Sequence, residues 1–122
     1  MEPTIEDEKI VFVNKIVYRF RKPKIGEIIV FRTTENPPLY FLKRIVATEG
    51  EIIEFKNGEI FLNGKILEEP YVIYRSNWNT PAIKVKKDCV FVVGDNRGMS
   101  ASEHLFTQVA IKNIIGRVIG FR

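Results

Sequence analysis

The chain has 122 residues, 45% of them apolar and 28% charged, with 19 Lys and Arg against 15 Asp and Glu and a formal net charge of +4. That length suits one globular domain, residues 1–122, with a modest core, and no apolar run approaches the ~20 residues that a membrane-spanning helix requires. A single cysteine, Cys89, and a single histidine, His104, exclude an internal disulfide and argue against a structural zinc site.

In chain order, short segments rich in Ile, Val, Phe and Tyr alternate with turn residues, the pattern of a mostly β domain. KIVFVNKIVY (9–18) and GEIIVFRT (26–33) read as strands, separated by RFRKPKIG, where Pro23 and Gly26 mark a loop. Lys9, Lys15, Arg19, Arg21, Lys22 and Lys24 follow one another here with no acid between them, so a basic patch is expected. TTENPP breaks the chain before the next strand, YFLKRIV (40–46). IIEFKNGEIFLNGKIL (52–67) carries Asn57-Gly58 and Asn63-Gly64, each flanked by apolar alternation. Asn-Gly readily adopts the positive φ of a two-residue turn, which predicts a tight β-meander. EEPYVIYRSNWNTPAIK (68–84) reads as an extended loop with a little strand. CVFVVGDNRGMSASEHLF (89–106) is a strand running into a polar loop, and IKNIIGRVIGFR (111–122) a helical turn followed by a closing strand. Cys89, in DCVFVVG, reads as a small buried apolar residue.

The strand YFLKRIV holds two cations. Side chains alternate faces along a strand, so Lys43 shares a face with Leu39, Phe41 and Ile45, and Arg44 shares the other with Tyr40, Leu42 and Val46. An ammonium among such neighbours loses hydration, which favours the neutral amine and makes a base able to accept a proton near neutral pH. The same pattern also accommodates a lysine that reaches solvent from an edge strand or pairs with an acid. GDNRGMSAS (94–102) ends a strand in a sharp turn and is suited to present Ser100 or Ser102 beside another strand, where Ser100 would hydrogen-bond the lysine amine; an ordinary capped turn is the alternative. Ser100, Ser102, Glu103 and His104 do not read as a serine triad, because triad members converge from separate elements and adjacent residues point apart. YRFRKPK (18–24) interleaves Tyr18 and Phe20 with Arg19 and Arg21, an arrangement that would stack bases and hold phosphates, or lie as a solvated face against an anionic membrane surface.

Taken together, MEPTI, KIGEIIVF, YFLKRIVATEGE, GEIFLNGK followed by EPYV, and GDNRGMS occur in the order and rough spacing of the type I signal peptidases. The chain resembles that family, membrane-anchored serine proteases that remove signal peptides outside the cytoplasmic membrane, over nearly its whole length, and resembles its compact Gram-positive form. The resemblance implies a mostly β fold of antiparallel sheets in a ribbon-like arrangement, shared with self-cleaving transcription regulators. It places the general base on Lys43 and the supporting serine on Ser100, with Asp95 and Asn96 filling the turn that positions it. Positions matching Met1, Ile5, Phe41 and Leu42 line the pockets for the small residues of an Ala-x-Ala site, with the substrate extended along a strand edge.

The family nucleophile is the serine immediately before M-x-P-T, and this chain begins at Met1, so the polypeptide by itself is expected to cleave nothing. The family also continues after its supporting serine with x-D-S-R, whose acid and arginine pair; here Ala101, Ser102, Glu103 and His104 stand instead, so the loop must be held differently. The implied partners are signal peptides of secreted preproteins, pilins among them, and a membrane surface, but no nucleic acid; no cofactor and no metal are implied. The implied location is the extracytoplasmic face of the cell membrane. Two other readings share the pattern: a signal-peptidase-like factor that binds without cutting in pilus assembly, and a self-cleaving regulator domain, for which no Ala-Gly or Cys-Gly cleavage loop is visible.

Overall fold

A computed structural model of the chain describes residues 11–34, 36–69, 78–95 and 107–121; Met1, Ile5, Asn96, Ser100, Ser102, Glu103 and His104 lie outside the described residues. Ten strands are described: β1 (Val11–Asn14), β2 (Ile28–Arg32), β3 (Tyr40–Thr48), β4 (Ile52–Lys56), β5 (Glu59–Leu62), β6 (Lys65–Ile66), β7 (Ile83–Lys84), β8 (Cys89–Val93), β9 (Thr107–Ala110) and β10 (Ile114–Phe121). They form a six-stranded sheet in the order β1-β10-β2-β3-β8-β9 and a four-stranded sheet in the order β6-β5-β4-β7. Every pairing among the described residues is antiparallel, as the family resemblance implies.

The second sheet is built around the predicted meander. The Lys56↔Glu59 and Leu62↔Lys65 pairings leave only Asn57-Gly58 and Asn63-Gly64 in the turns. All four residues have positive φ, at 50°, 78°, 51° and 85°, the backbone that a tight right-twisted hairpin needs and that Asn and Gly tolerate. Asn63 also ties its turn to β4, donating its N–H to Ile52 O at 2.8 Å while its Oδ1 accepts from Ile52 N at 2.9 Å.

β3 and β8 are neighbouring interior strands of the first sheet and carry apolar side chains on both faces. On one face Val46, Ala47, Phe91 and Val93 pack with Ile53, Phe55, Ile60, Trp78 and Val85, which joins the two sheets; Phe55 meets the Trp78 ring edge-on at 5.7 Å. On the other, Ile29, Phe31, Ile45, Val90, Val92 and Val109 form a second cluster, with Tyr18, Phe41, Ile111 and Ile114 packed against it. Val46 and Ala47 are adjacent yet join the same cluster because the β3–β8 register shifts between Ile45 and Ala47, a bulge that turns two successive side chains one way.

The chain departs from the sequence reading at two places. The first strand stops at Asn14 instead of Tyr18, and Val17–Arg19 form a 3-10 turn. The Asn14 Oδ1 accepts the Ile16 N–H at 3.0 Å, a local bond that competes with strand pairing. β9, in the stretch between the polar loop and IKN to which the sequence reading assigned no element, pairs with β8 and buries Val109. The helical turn before the closing strand is present at Ile111–Asn113. In β10, a Cβ on Gly116 would lie 2.5 Å from both Asn14 O and Val13 Cγ1, so β1 sits directly over a position that only glycine fits.

Candidate active site

The site is assembled on β3. Its register with β2 is unbroken from Ile28↔Arg44 to Arg32↔Tyr40 and sets Lys43 opposite Ile29. Lys43 therefore lies on the face of the second cluster, partly buried, between positions whose side chains are fully buried at Ile29 and Ile45. Phe41 shares that face and packs on the cluster, its ring 6.0 Å from that of Phe31. Leu42, expected to line the same pockets as Phe41, points to the opposite face with Arg44, as alternation dictates. β8 runs beside β3 only from Arg44 to Thr48, so Tyr40–Leu42 have β2 on one side and no described strand on the other.

Arg44 is the buried cation of this strand. It is 8% exposed, and Asp95, at the end of β8 where the following loop begins, is 0% exposed. Arg44 Nε donates to Asp95 Oδ1 at 2.9 Å and Nη2 to Oδ2 at 2.7 Å, the two-point geometry in which a guanidinium matches a carboxylate. Nη1 donates to Gly26 O at 2.7 Å, so one side chain joins β3, the end of β8 and the turn before β2. Gly26 has φ +93° and in turn donates its N–H to Ile45 O at 2.9 Å. Asp95, expected to sit in the turn before Ser100, is half of a buried ion pair at the root of the segment that carries Ser100. Nothing local in GDN signals this; the cue was a second cation in a strand apolar on both faces, which needs a buried acid.

A second polar knot sits one residue further on. Glu27, 8% exposed, accepts from Tyr18 Oη at 3.0 Å, from Arg21 Nη1 at 3.1 Å and from Lys24 N at 2.8 Å, and its other oxygen pairs with Arg21 Nη2. Arg117 Nε of β10 lies 3.1 Å from Glu27 Oε2 but off the direction of a hydrogen bond, so it acts there through its charge. Burial opposes ionisation of Glu27, and the Arg21 bonds, the Lys24 N–H, the Tyr18 hydroxyl and Arg117 outweigh it, holding the carboxyl below its usual range. Tyr18 responds oppositely: burial, then the Glu27 charge, push its hydroxyl well above the usual phenol range. This arrangement takes Tyr18 and Arg21 out of the base-stacking platform suggested by YRFRKPK. Arg19 and Phe20 remain at the surface.

Among the described residues no group of three or more His, Cys, Asp and Glu side chains is placed to hold a metal ion, and no helix is long and apolar enough to cross a membrane.

The family model described as signal peptidase, peptidase S26, matches residues 1–121. The chain belongs to the S26 signal peptidase family. This S26 chain is similar to the probable signal peptidase I-1 of Synechocystis, 35% identical over 126 residues covering 98% of the chain and 64% of that protein. It is 38% identical over 126 residues to the signal peptidase I of Leptolyngbya laminosa, with 98% and 62% covered. To the chloroplastic thylakoidal processing peptidase 1 of Arabidopsis thaliana it is 34% identical, with 98% and 38% covered. It thus spans from about two fifths to just under two thirds of these relatives' own lengths. The solved signal peptidase I of Enterococcus faecalis V583 shares the fold, with a TM-score of 0.64 at 24% identity over 80% of this chain and 97% of that one.

Proposed function

We propose that residues 1–122 form the catalytic domain of a signal peptidase I that removes signal peptides from secreted preproteins after Ala-x-Ala sites with a Ser/Lys pair. Lys43, as a neutral amine, takes the proton from the serine that the family places immediately before Met1. The alkoxide attacks the scissile carbonyl, the amine leaves with the proton, and a lysine-activated water then hydrolyses the acyl-enzyme. Ser100 hydrogen-bonds the Lys43 amine. The substrate lies extended along Tyr40–Leu42, its small side chains against Met1, Ile5, Phe41 and Leu42. The intact protein works at the extracytoplasmic face of the cell membrane, held by an N-terminal anchor, and pilins are among its clients. The fold needs no metal or cofactor for this chemistry.

One observation carries the reading: Lys43 lies beside Ile29 and Ile45 on an apolar face, while the next residue, Arg44, ties the root of the Ser100 segment to the same strand through Asp95. The test is to express the intact protein with its native residue before Met1, incubate it with a preprotein and locate the cut by mass spectrometry. A serine there and a cut after Ala-x-Ala are expected. An aspartate or glycine there, with no cleavage, would make the protein a binding factor and end the proposal.

A further inference from the structure

Gly26 and Glu27 lie just before β2 and continue its contact with β3 beyond the Ile28↔Arg44 pair. Gly26 donates its N–H to Ile45 O at 2.9 Å, and Glu27 O accepts the Ile45 N–H at 2.9 Å, so this dipeptide holds both backbone groups of Ile45, two residues from Lys43. Gly26 O accepts from Arg44 Nη1 at 2.7 Å, while Nε and Nη2 of the same guanidinium hold Asp95. The dipeptide therefore meets β3 right after Lys43 and, through Arg44, reaches the root of the segment that carries Ser100.

Its own conformation is set from the opposite side. Lys24–Glu27 form a turn closed by Glu27 N to Lys24 O at 3.3 Å, with Gly26 at the third position and φ +93°, the positive value that this position of a type II turn needs. One long backbone bond is a weak closure. The Glu27 carboxylate adds a second, accepting the Lys24 N–H at 2.8 Å. It then ties the turn outward, to Tyr18 Oη at 3.0 Å and Arg21 Nη1 at 3.1 Å on the 3-10 turn and the loop after it, with the charge of Arg117 approaching from β10. Bonds to an ionised carboxylate that is nearly shielded from water are the strong ones, so Glu27 is a fixed post behind Gly26.

We propose that Glu27 is a positioning residue for the Ser/Lys reaction. Its carboxylate fixes the Gly26 carbonyl that orients Arg44, and through Arg44 and Asp95 it sets the segment carrying Ser100 against Lys43. The inference rests on the Ser/Lys reading above and adds to it a residue that acts only through another side chain. In the intact protein, Glu27→Gln keeps the side-chain shape but turns an amide NH2 toward Arg21. It should lower kcat on a preprotein by about 10- to 100-fold, the scale of a small misplacement of reacting groups. KM should stay within about twofold, because the substrate edge at Tyr40–Leu42 is untouched. If the effect passes through Arg44, an Arg44→Lys background already lacks it, and adding Glu27→Gln there should cost less than about threefold. Asn63→Ala, which weakens the β5–β6 turn far from Gly26, should keep the parent's kcat; all rates are measured where circular dichroism shows the variants folded.

A second measurement needs no cleavage. The Arg44 Nε–H, assigned in 15N spectra by its absence from Arg44→Lys, should exchange with solvent at least about tenfold faster in Glu27→Gln than in the parent. An unchanged kcat in folded Glu27→Gln, an equal loss in Asn63→Ala, the same loss in the parent and Arg44→Lys backgrounds, or an unchanged Nε–H would overturn the inference. A parent that cuts nothing would instead end the Ser/Lys reading, and the Nε–H exchange would still decide whether Glu27 sets the clamp.

Discussion

Arg44 and Asp95 stand 51 positions apart in sequence and meet through two hydrogen bonds, Nε to Oδ1 at 2.9 Å and Nη2 to Oδ2 at 2.7 Å, in a site closed to solvent around the carboxylate. Removing one partner of a buried pair leaves the other buried without its counter-ion, at a cost of about 3–5 kcal/mol. Arg44→Met and Asp95→Leu are each expected to destabilise the fold by that order in urea unfolding, and the double variant by clearly less than their sum. Arg44→Lys keeps the charge but loses the fork that reaches Asp95 and Gly26 together, so it should fall between parent and Arg44→Met. An Arg44→Met variant within ~0.5 kcal/mol of the parent would remove the clamp from the account.

Glu27 gives a pH signature of known sign. Its folded-state carboxyl ionises below its ordinary range, so its stabilisation is present above the unfolded value, near ~4.3, and is lost as pH falls through the folded one. Glu27→Gln should therefore be less stable than the parent at neutral pH, by about 1–3 kcal/mol, and the gap should close on acidification toward pH ~3. Unfolding curves of both proteins at several pH values check this. A gap that is constant with pH would show that the knot stabilises through shape and not through charge.

Gly116 offers a purely steric test. A methyl group there would overlap Asn14 O and Val13 Cγ1, so β1 must lift from β10. Gly116→Ala is expected to cost roughly 1–3 kcal/mol and to raise amide exchange in Val11–Asn14 ahead of β4 and β5. Unchanged exchange in β1 would contradict the close approach.

How much of this was legible in the sequence depends on the distance over which each feature is decided. Asn57-Gly58 and Asn63-Gly64 are local: two residues supply the positive φ, and the alternation around them supplies the sheet face. The faces of Lys43 and Arg44 follow from strand alternation alone. The 3-10 turn at Val17–Arg19 hides behind apolar residues that read as strand, because the deciding bond is a single Asn14 side chain. The Arg44–Asp95 pair and the meeting of Tyr18, Arg21 and Arg117 on Glu27 are set by which strands become neighbours, and nothing within a few residues of Asp95 or Glu27 names those partners. Tyr18 and Arg21 were open to a nucleic-acid reading for that reason. The family resemblance located Lys43 and the segment after Asp95 and assigned that segment's support to a pair missing here, whereas the described anchor at its root is Arg44.

The Lys43 amine is the proposed base of the reaction. The direct measurement is cleavage of a preprotein by the intact protein and by its Lys43→Met variant, with circular dichroism and melting recorded on both. Loss of cleavage by at least about 100-fold is expected, with the fold retained because a methionine suits the face formed by Ile29, Phe41 and Ile45. Cleavage at the same site and a comparable rate by the folded variant would contradict it.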